Sequence, residues 1–360
     1  MPYVKAFSNM RARLVKLWVA VVMLMAMPNL LLSGEAQNAF NEAVKFHRAG
    51  KFKEAIAAYD RALKAAPNAA EAYLGRGSAY ARMGQADRAI KDYDEAIRLN
   101  PDLVDAYYNR GNAHTETKQY PLALKDYDEA IRRNPKFVEA YNARGLAYYR
   151  LGQNDNAIKN FEEALKLDPK LIDAVNNRAN AYFVQKHYDR AIRDYDEVIK
   201  QTPKSATAFR QRALAYSASG QFDKAIQGFD QAQKLNPKDP EVYSSRGLVY
   251  RRLGKHEQAI QDYTEAIKLD PKNPEIYNNR ANTLSLVGKY DQALKDYDEA
   301  VKLDPKNARI YANRGMVKLR QAKGEEGQKD LKKAMELDPS LKEKLEPLIN
   351  DQKAPATPRQ

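Results

Sequence analysis

The side chains best suited to directed chemistry in this chain are carboxamides. Asn109 and Asn112, Asn177 and Asn180, and Asn279 and Asn282 stand three residues apart, and Asn176 and Asn278 precede two of these pairs. Residues at that spacing share one side of a helix, so each pair points two amides into the same space. An amide both donates and accepts, which matches the C=O and N–H of a peptide bond. A row of them can hold an extended backbone without reading its sequence. Asn41 and Asn313 extend the set toward the two ends. The alternative reading is that these amides tune contacts between helices.

Acid–base and metal chemistry is poorly provided for. Asp-Tyr-Asp-Glu occurs at Asp92–Glu95, Asp126–Glu129, Asp194–Glu197 and Asp296–Glu299. Its tyrosines fall at a recurrent core position. Lys91 and Glu95, and Asp94 and Arg98, have the i,i+4 spacing of a solvated, charge-paired face. The histidines His47, His114, His187 and His256 are scattered, and none has a second at i+4, so a helix-borne metal pair is absent. Cysteine is absent, which excludes disulfides, a thiol nucleophile and thiolate metal sites. There is no phosphate-binding loop, no dinucleotide-binding glycine motif, no zinc-protease helix and no serine elbow. The sequence offers no catalytic residue, no metal site and no cofactor, and reads as a non-enzymatic chain.

The elements that must position these amides repeat. Prolines recur at Pro67, Pro101, Pro135, Pro169, Pro203, Pro237, Pro271, Pro305 and Pro339, always at the same interval. This fixed period divides the chain into nine copies: 36–69, 70–103, 104–137, 138–171, 172–205, 206–239, 240–273, 274–307 and 308–339. A period of this length marks a solenoid. Let the proline be position 32 of each copy. In the second copy Tyr73, Gly77 and Tyr80 fall at positions 4, 8 and 11, one face of a first helix; Ala89, Tyr93 and Ala96 fall at 20, 24 and 27, one face of a second. Small residues at 8, 20 and 27 let the two backbones approach, and rings at 4, 11 and 24 fill the space beside them. Glycine at 15 suits a helix end followed by a turn, and the proline cannot continue a helix interior. Each copy is a helix hairpin with too little core of its own, which buries its faces against its neighbours. The last copy has Lys318 at 11, Gly327 at 20 and Leu331 at 24, which predicts poorer packing there.

This pattern resembles the tetratricopeptide repeat family from Ala36 to Pro339. The resemblance implies an all-α solenoid, a right-handed superhelix of nine helix-turn-helix repeats whose concave groove binds partners. The groove is lined in the family by positions 2, 5, 6, 9, 12 and 13, where the asparagines above stand. Those at Asn41, Asn109, Asn177, Asn279 and Asn313 are similar to the asparagine ladder in the tetratricopeptide region of O-GlcNAc transferase, with breaks at Gly75, Ala143, Gln211 and Ser245. The carboxylate clamp of the family needs lysine at position 5 with asparagine at 9, and no copy has that lysine. Groove positions also carry Arg48, Arg82, Arg150, Arg210, Arg251, Arg252, Arg309 and Arg320, with acids at the rim (Glu71, Asp105, Glu139, Asp173, Glu241 and Glu275). Partners with acidic stretches are favoured kinetically.

One departure from the family recurs. Position 7 is arginine in eight copies, where the family usually has leucine: Arg76, Arg110, Arg144, Arg178, Arg212, Arg246, Arg280 and Arg314. It borders the packed face, and an unpaired buried charge is costly. Position 23 offers Asp92, Asp126, Asp194, Asp262, Asp296 and Asp330, but Asn160 and Gly228 interrupt the match. Two readings stand: an Arg–Asp ladder joining helices, or snorkelled arginines with wet heads.

The ends do not fit the repeat. Lys5, Arg11, Arg13 and Lys16 precede the apolar run Leu17–Met27, and Gly34-Glu35-Ala36 supplies small residues before a cut at Gln37. Residues 1–36 have the layout of a secretory signal peptide, and the run is shorter than the roughly 20 residues of a spanning helix. This implies export to the periplasm or cell envelope, the alternative being a retained N-terminal anchor and with it membrane contact. Residues 340–350 read as a capping helix with Ser340 as N-cap and Glu343 at N3, its Leu341, Leu345, Leu348 and Ile349 covering the last copy. Residues 351–360 read as a disordered tail. The function that follows is a protein-interaction scaffold for an extended peptide or partner surface, without a small-molecule substrate. The alternative is binding of nucleic acid or another polyanion, suggested by a formal charge of +13. Cleavage removes Trp18, the only tryptophan, so the exported protein should show tyrosine-only fluorescence; indole emission from it would count against cleavage.

Overall fold

The computed structural model describes residues 34–350, Asn350 by its backbone alone. Most of the expected leader and the expected tail, residues 1–33 and 351–360, lie outside the described residues. Among the described residues there are helices and turns and no strand. The chain divides into two compact units between Gln119 and Tyr120. The first holds α1 (Gly34–Arg48), α2 (Phe52–Ala65), α3 (Ala70–Arg82), α4 (Ala86–Leu99) and α5 (Val104–Glu116). The second holds α6 (Tyr120–Arg133), α7 (Val138–Arg150), α8 (Asn154–Leu167), α9 (Ile172–Val184), α10 (Tyr188–Gln201), α11 (Ala206–Ala218), α12 (Phe222–Leu235), α13 (Pro240–Arg252), α14 (His256–Leu269), α15 (Pro274–Leu286), α16 (Tyr290–Leu303), α17 (Ala308–Arg320) and α18 (Gly324–Leu337). A 3-10 turn (Pro339–Leu341) and α19 (Lys342–Asn350) complete it. Within each unit helices pack in consecutive pairs, and each even-numbered helix also touches the odd-numbered one that follows.

Two local devices set the period. At position 15 the chain turns through a left-handed residue. Glycine takes it at Gly50, Gly84, Gly152, Gly220, Gly254 and Gly288, with φ between 72° and 80°; Lys118, Lys186 and Ala322 adopt it without that freedom. Before six of the nine repeat prolines an Asn or Asp side chain folds back on the turn. Asn100, Asn134, Asp168, Asn236, Asp304 and Asp338 each accept from the backbone N–H two residues on, across the proline. This is the Asx turn that an Asn-Pro or Asp-Pro pair favours.

The core follows the predicted faces. The ring at position 24 is the largest fully buried side chain of its copy: Tyr93, Tyr127, Phe161, Tyr195, Phe229, Tyr263 and Tyr297 are all below 2 % exposed. Gly77 and Gly145 at position 8 make room for it, since a Cβ there would come within 2.8 Å of Tyr93 and 2.6 Å of Phe161. Positions 3 and 10, which the repeat arithmetic passed over, are apolar from the second copy on except for Thr283, and they join the cores of preceding hairpins. Ala72 packs with α1 and α2, Ala215 with α9 and α10, and Ile310 and Val317 with α15 and α16. In α1 the same positions are Asn38 and Lys45, both exposed. Helix α1 begins two residues before the repeat frame, and Ala36 is fully buried in its first turn.

The arginines at position 7 form a ladder within each unit. Arg246 is the clearest rung. It grips Asp262 of its own copy through Nε (2.8 Å) and Nη2 (2.7 Å), and reaches Asp230 of the preceding copy through Nη1 at 2.5 Å. Both partners lie 16 residues away, one in each direction. Arg76 treats Asp92 and Asp60 the same way, and Arg314 treats Asp330 and Asp298. Arg280 pairs with Asp296 and with the Thr264 hydroxyl. The guanidiniums of Arg76, Arg246 and Arg314 also lie over the rings of Tyr73, Tyr243 and Tyr311, 5.4 to 5.7 Å from their centroids. These heads are bonded rather than wet, so the snorkelled reading falls.

The Asp-Tyr-Asp-Glu motif is corrected accordingly. The first aspartate binds the arginine of its own copy at Asp92, Asp194 and Asp296, and the second binds the arginine of the next at Asp94, Asp128, Asp196 and Asp298. Asp94, expected to pair with Arg98, accepts instead from Arg110 at 2.6 Å, while Arg98 pairs with Glu95. The expected gap at Asn160 is closed, because its amide oxygen accepts from Arg144 Nε at 2.7 Å. The gap at Gly228 is real: Arg212 keeps Asp196, but its buried Nε has no partner among the described residues.

The last hairpin is not poorly packed. Leu331 is fully buried, and Gly327 admits Leu319 where a Cβ would lie 2.6 Å from it. Lys318 turns its ammonium to Asp330 at 3.0 Å, beside Arg314. In the cap, Leu345 and Ile349 are buried whereas Leu348 is 37 % exposed. The expected Ser340 box is replaced: Asp338 accepts from both the backbone N–H and the hydroxyl of Ser340, and α19 runs through Pro347.

Two outcomes follow. A left-handed non-glycine residue costs about 1–2 kcal/mol, so Lys186→Gly and Ala322→Gly should each stabilise by roughly 1 kcal/mol in urea unfolding. Arg246→Met leaves the buried Asp262 uncompensated and should destabilise by about 3–5 kcal/mol in the same measurement, whereas the exposed Arg193→Met should change little.

Candidate functional site

The amides sort into three roles. On the odd-numbered helices of the second unit, Asn177 of α9 donates through Nδ2 to Asn142 Oδ1 of α7 at 3.2 Å. Asn313 of α17 makes the same bond to Asn278 of α15 at 3.0 Å. A position 6 amide thus reaches the position 5 amide of the preceding odd-numbered helix. Beside them stand Asn176 and Asn279, partly buried, with no side-chain partner among the described residues.

Asn180 and Asn282 turn the other way. Their oxygens accept the hydroxyls of Tyr195 and Tyr297, each at 2.7 Å. These two amides hold the core ring of their own hairpin and are withdrawn from the row of position 5 and 6 amides. The seventh copy has Leu248 in that place, and the buried Tyr263 hydroxyl has no partner. Burial pushes the Tyr263 phenol up to about 12.

In the first unit, Asn109 and Asn112 lie partly buried on α5, and Asn41 is exposed on α1, accepting from Gln37 at 3.0 Å. The break at Gly75 is a packing requirement. A Cβ there would stand 2.4 Å from the Tyr59 ring, which leans into the space an asparagine would occupy.

One groove arginine is neutralised internally and another is covered by a ring. Arg210 is buried and pairs with Asp239 at 3.3 Å and with Glu241, so one basic groove residue and one acidic rim residue cancel. Arg82 lies over the Phe52 ring. Among the described residues no three His, Asp or Glu side chains converge as a metal cage, and no helix is long and apolar enough to cross a membrane.

The tyrosine contrast is testable. Tyr297→Phe removes a made hydrogen bond and should cost about 1 kcal/mol, while Tyr263→Phe removes an orphaned hydroxyl and should be neutral or stabilising, as read by urea unfolding.

Comparison with known proteins agrees with this architecture. The family model described as the Cilia and flagella-associated protein 70 C-terminal domain matches residues 123–347, and two tetratricopeptide repeat models match residues 40–103 and 104–137. A solved tetratricopeptide repeat protein from Parabacteroides merdae aligns with 69% of this chain and 99% of its own, at 21% identity and a TM-score of 0.53. The C-terminal part of a tetratricopeptide repeat-containing protein from Cytophaga hutchinsonii aligns with 67% of this chain and 98% of its own, at 19% identity and a TM-score of 0.56. At those identities the likeness carries the fold alone. No curated protein matches the chain. Continuous helix pairs, the in-register repeat and the matching models place this chain in the tetratricopeptide repeat family, whose scaffolds generally mediate protein–protein interaction.

Proposed function

We propose that this chain is a non-enzymatic scaffold that holds an extended peptide segment against the odd-numbered helices. The observation that supports this most is the row of amides in the second unit. Asn142 and Asn177, and Asn278 and Asn313, already bond from one odd-numbered helix to the next, while Asn176 and Asn279 stand beside them with unused donors and acceptors. Amides fixed in this way are pre-organised for a peptide backbone, which reduces the entropy lost on binding. Asn109 and Asn112 on α5 offer the same chemistry in the first unit.

The proposal includes export, on the strength of the basic and apolar order of residues 1–36. Cleavage before Gln37 removes the first turn of α1 and leaves the rest of that helix.

An array of random extended peptides probed with the purified chain tests the site, followed by anisotropy titration of the peptides that bind. Each hydrogen bond contributes about 0.5–1.5 kcal/mol, so the Asn176→Ala/Asn279→Ala double variant should bind roughly ten-fold more weakly. Unchanged affinity would move the binding surface away from these helices.

A further inference from the structure

Almost every arginine of the second unit has a partner, and the exceptions fall on two helices. Among the described residues, Arg251, Arg252, Arg309 and Arg320 have no hydrogen bond, ion pair or ring contact to the protein, and none of the other arginines of that unit shares this state. All four lie on α13 and α17, the two odd-numbered helices that flank and touch α15. Arg252 and Arg320 occupy position 13 at the ends of their helices. The residue at that position on α15 between them is Leu286, which at 60 % is the most exposed large apolar side chain described. Arg251 and Arg320, on different helices, both act electrostatically on the buried Tyr297 phenol. Asp291, on the first turn of α16, accepts from Gln321 at 2.9 Å and not from Arg320.

A guanidinium beside carbonyls at a helix end is favoured by the helix dipole, which accounts for arginine there. It does not account for an exposed leucine between two of them. Nor does it account for Asn279 on the same helix, whose amide has no side-chain partner among the described residues.

We infer that the α13–α15–α17 strip selects acidic, extended peptide segments that carry an aliphatic residue. Carboxylates meet Arg251, Arg252 and Arg320, the aliphatic side chain covers Leu286, and the peptide backbone runs past Asn279. Arg–carboxylate contacts are charge-assisted and geometrically specific, and burial of Leu286 adds an apolar contribution that a bare polyanion cannot supply. This inference rests on the peptide-holding role proposed above and names the chemistry of the peptide.

The full chain is titrated by fluorescence anisotropy with three labelled probes. One is a short peptide of Asp, Glu, Ser and Leu, the second its Asn/Gln counterpart with the same leucines, and the third a single-stranded oligodeoxynucleotide of equal charge. The acidic peptide should bind more tightly than its amide counterpart. R251A/R320A should weaken the acidic peptide on the order of ten-fold and leave the amide peptide unchanged, consistent with loss of charge pairs at an interface. Leu286→Ser should weaken both peptides but not the oligonucleotide, and R193A, on an even-numbered helix, should change nothing. If R251A/R320A loses its helical circular dichroism, R252Q/R320Q carries the same comparison. Acidic-peptide affinity that is indifferent to these arginines overturns the inference, and so does an oligonucleotide that binds as tightly with the same arginine dependence. If the amide peptide still binds and responds to Asn279→Ala, the groove reading survives that failure. If neither peptide binds, both readings fall.

Discussion

The arginine at position 7 is the constraint on which the helices around it depend. It sits where a leucine would otherwise fill the seam between two helices, and it carries a charge that cannot be buried alone. Its planar head solves this by meeting three surfaces: a carboxylate of its own hairpin, a carboxylate of the hairpin before, and in several copies the face of the ring at position 4. A bidentate grip fixes direction as well as distance. The rung therefore sets how one hairpin is placed against the next within a unit, in a way that small apolar side chains at positions 3 and 10 could not by themselves. Burial raises the Asp262 carboxyl against the pull of Arg246, so desolvation is a real opposing cost and the geometry has to be good. The contribution of such a rung is more to register than to net stability.

The same arrangement decides which charges remain for function. Carboxylates of the even-numbered helices are drawn inward to the rungs, and most arginines are satisfied. On the odd-numbered helices of the second unit this leaves the amides of positions 5 and 6 and the unpaired arginines of α13 and α17. On the reading proposed above, that surface would hold a backbone by hydrogen bonds, with selectivity supplied by the local charges.

Much of this was legible in the sequence, because each hairpin is a local object. The prolines, the apolar faces and the ring at position 24 follow from helix periodicity alone, and the helix boundaries agree with them. The position 15 turn was legible from glycine in six copies, although Lys118, Lys186 and Ala322 show that the backbone imposes it regardless. What the sequence could not show were relations between neighbouring copies. The second aspartate of Asp-Tyr-Asp-Glu looks like a solvated residue until the next odd-numbered helix is in place beside it. Asn180 and Asn282 look like groove amides until the tyrosine hydroxyl behind them is located. Gly75 looks like a gap until the Tyr59 ring is seen to fill it. A signal for the first of these was present in the shared interval of 16 residues on either side of each arginine. One for the last two was not.

The symmetry of that interval bears on how such a gene can change. Because each rung borrows from the copy behind and from its own, duplication or loss of one whole copy re-creates the same junction on either side of the splice. Unequal recombination can therefore lengthen or shorten the array without stranding a charge, whereas a single-codon insertion inside a copy would misalign every contact across that seam. The electrostatic seam acts as a reading frame above the genetic one, tolerant of multiples of the period and intolerant of anything between.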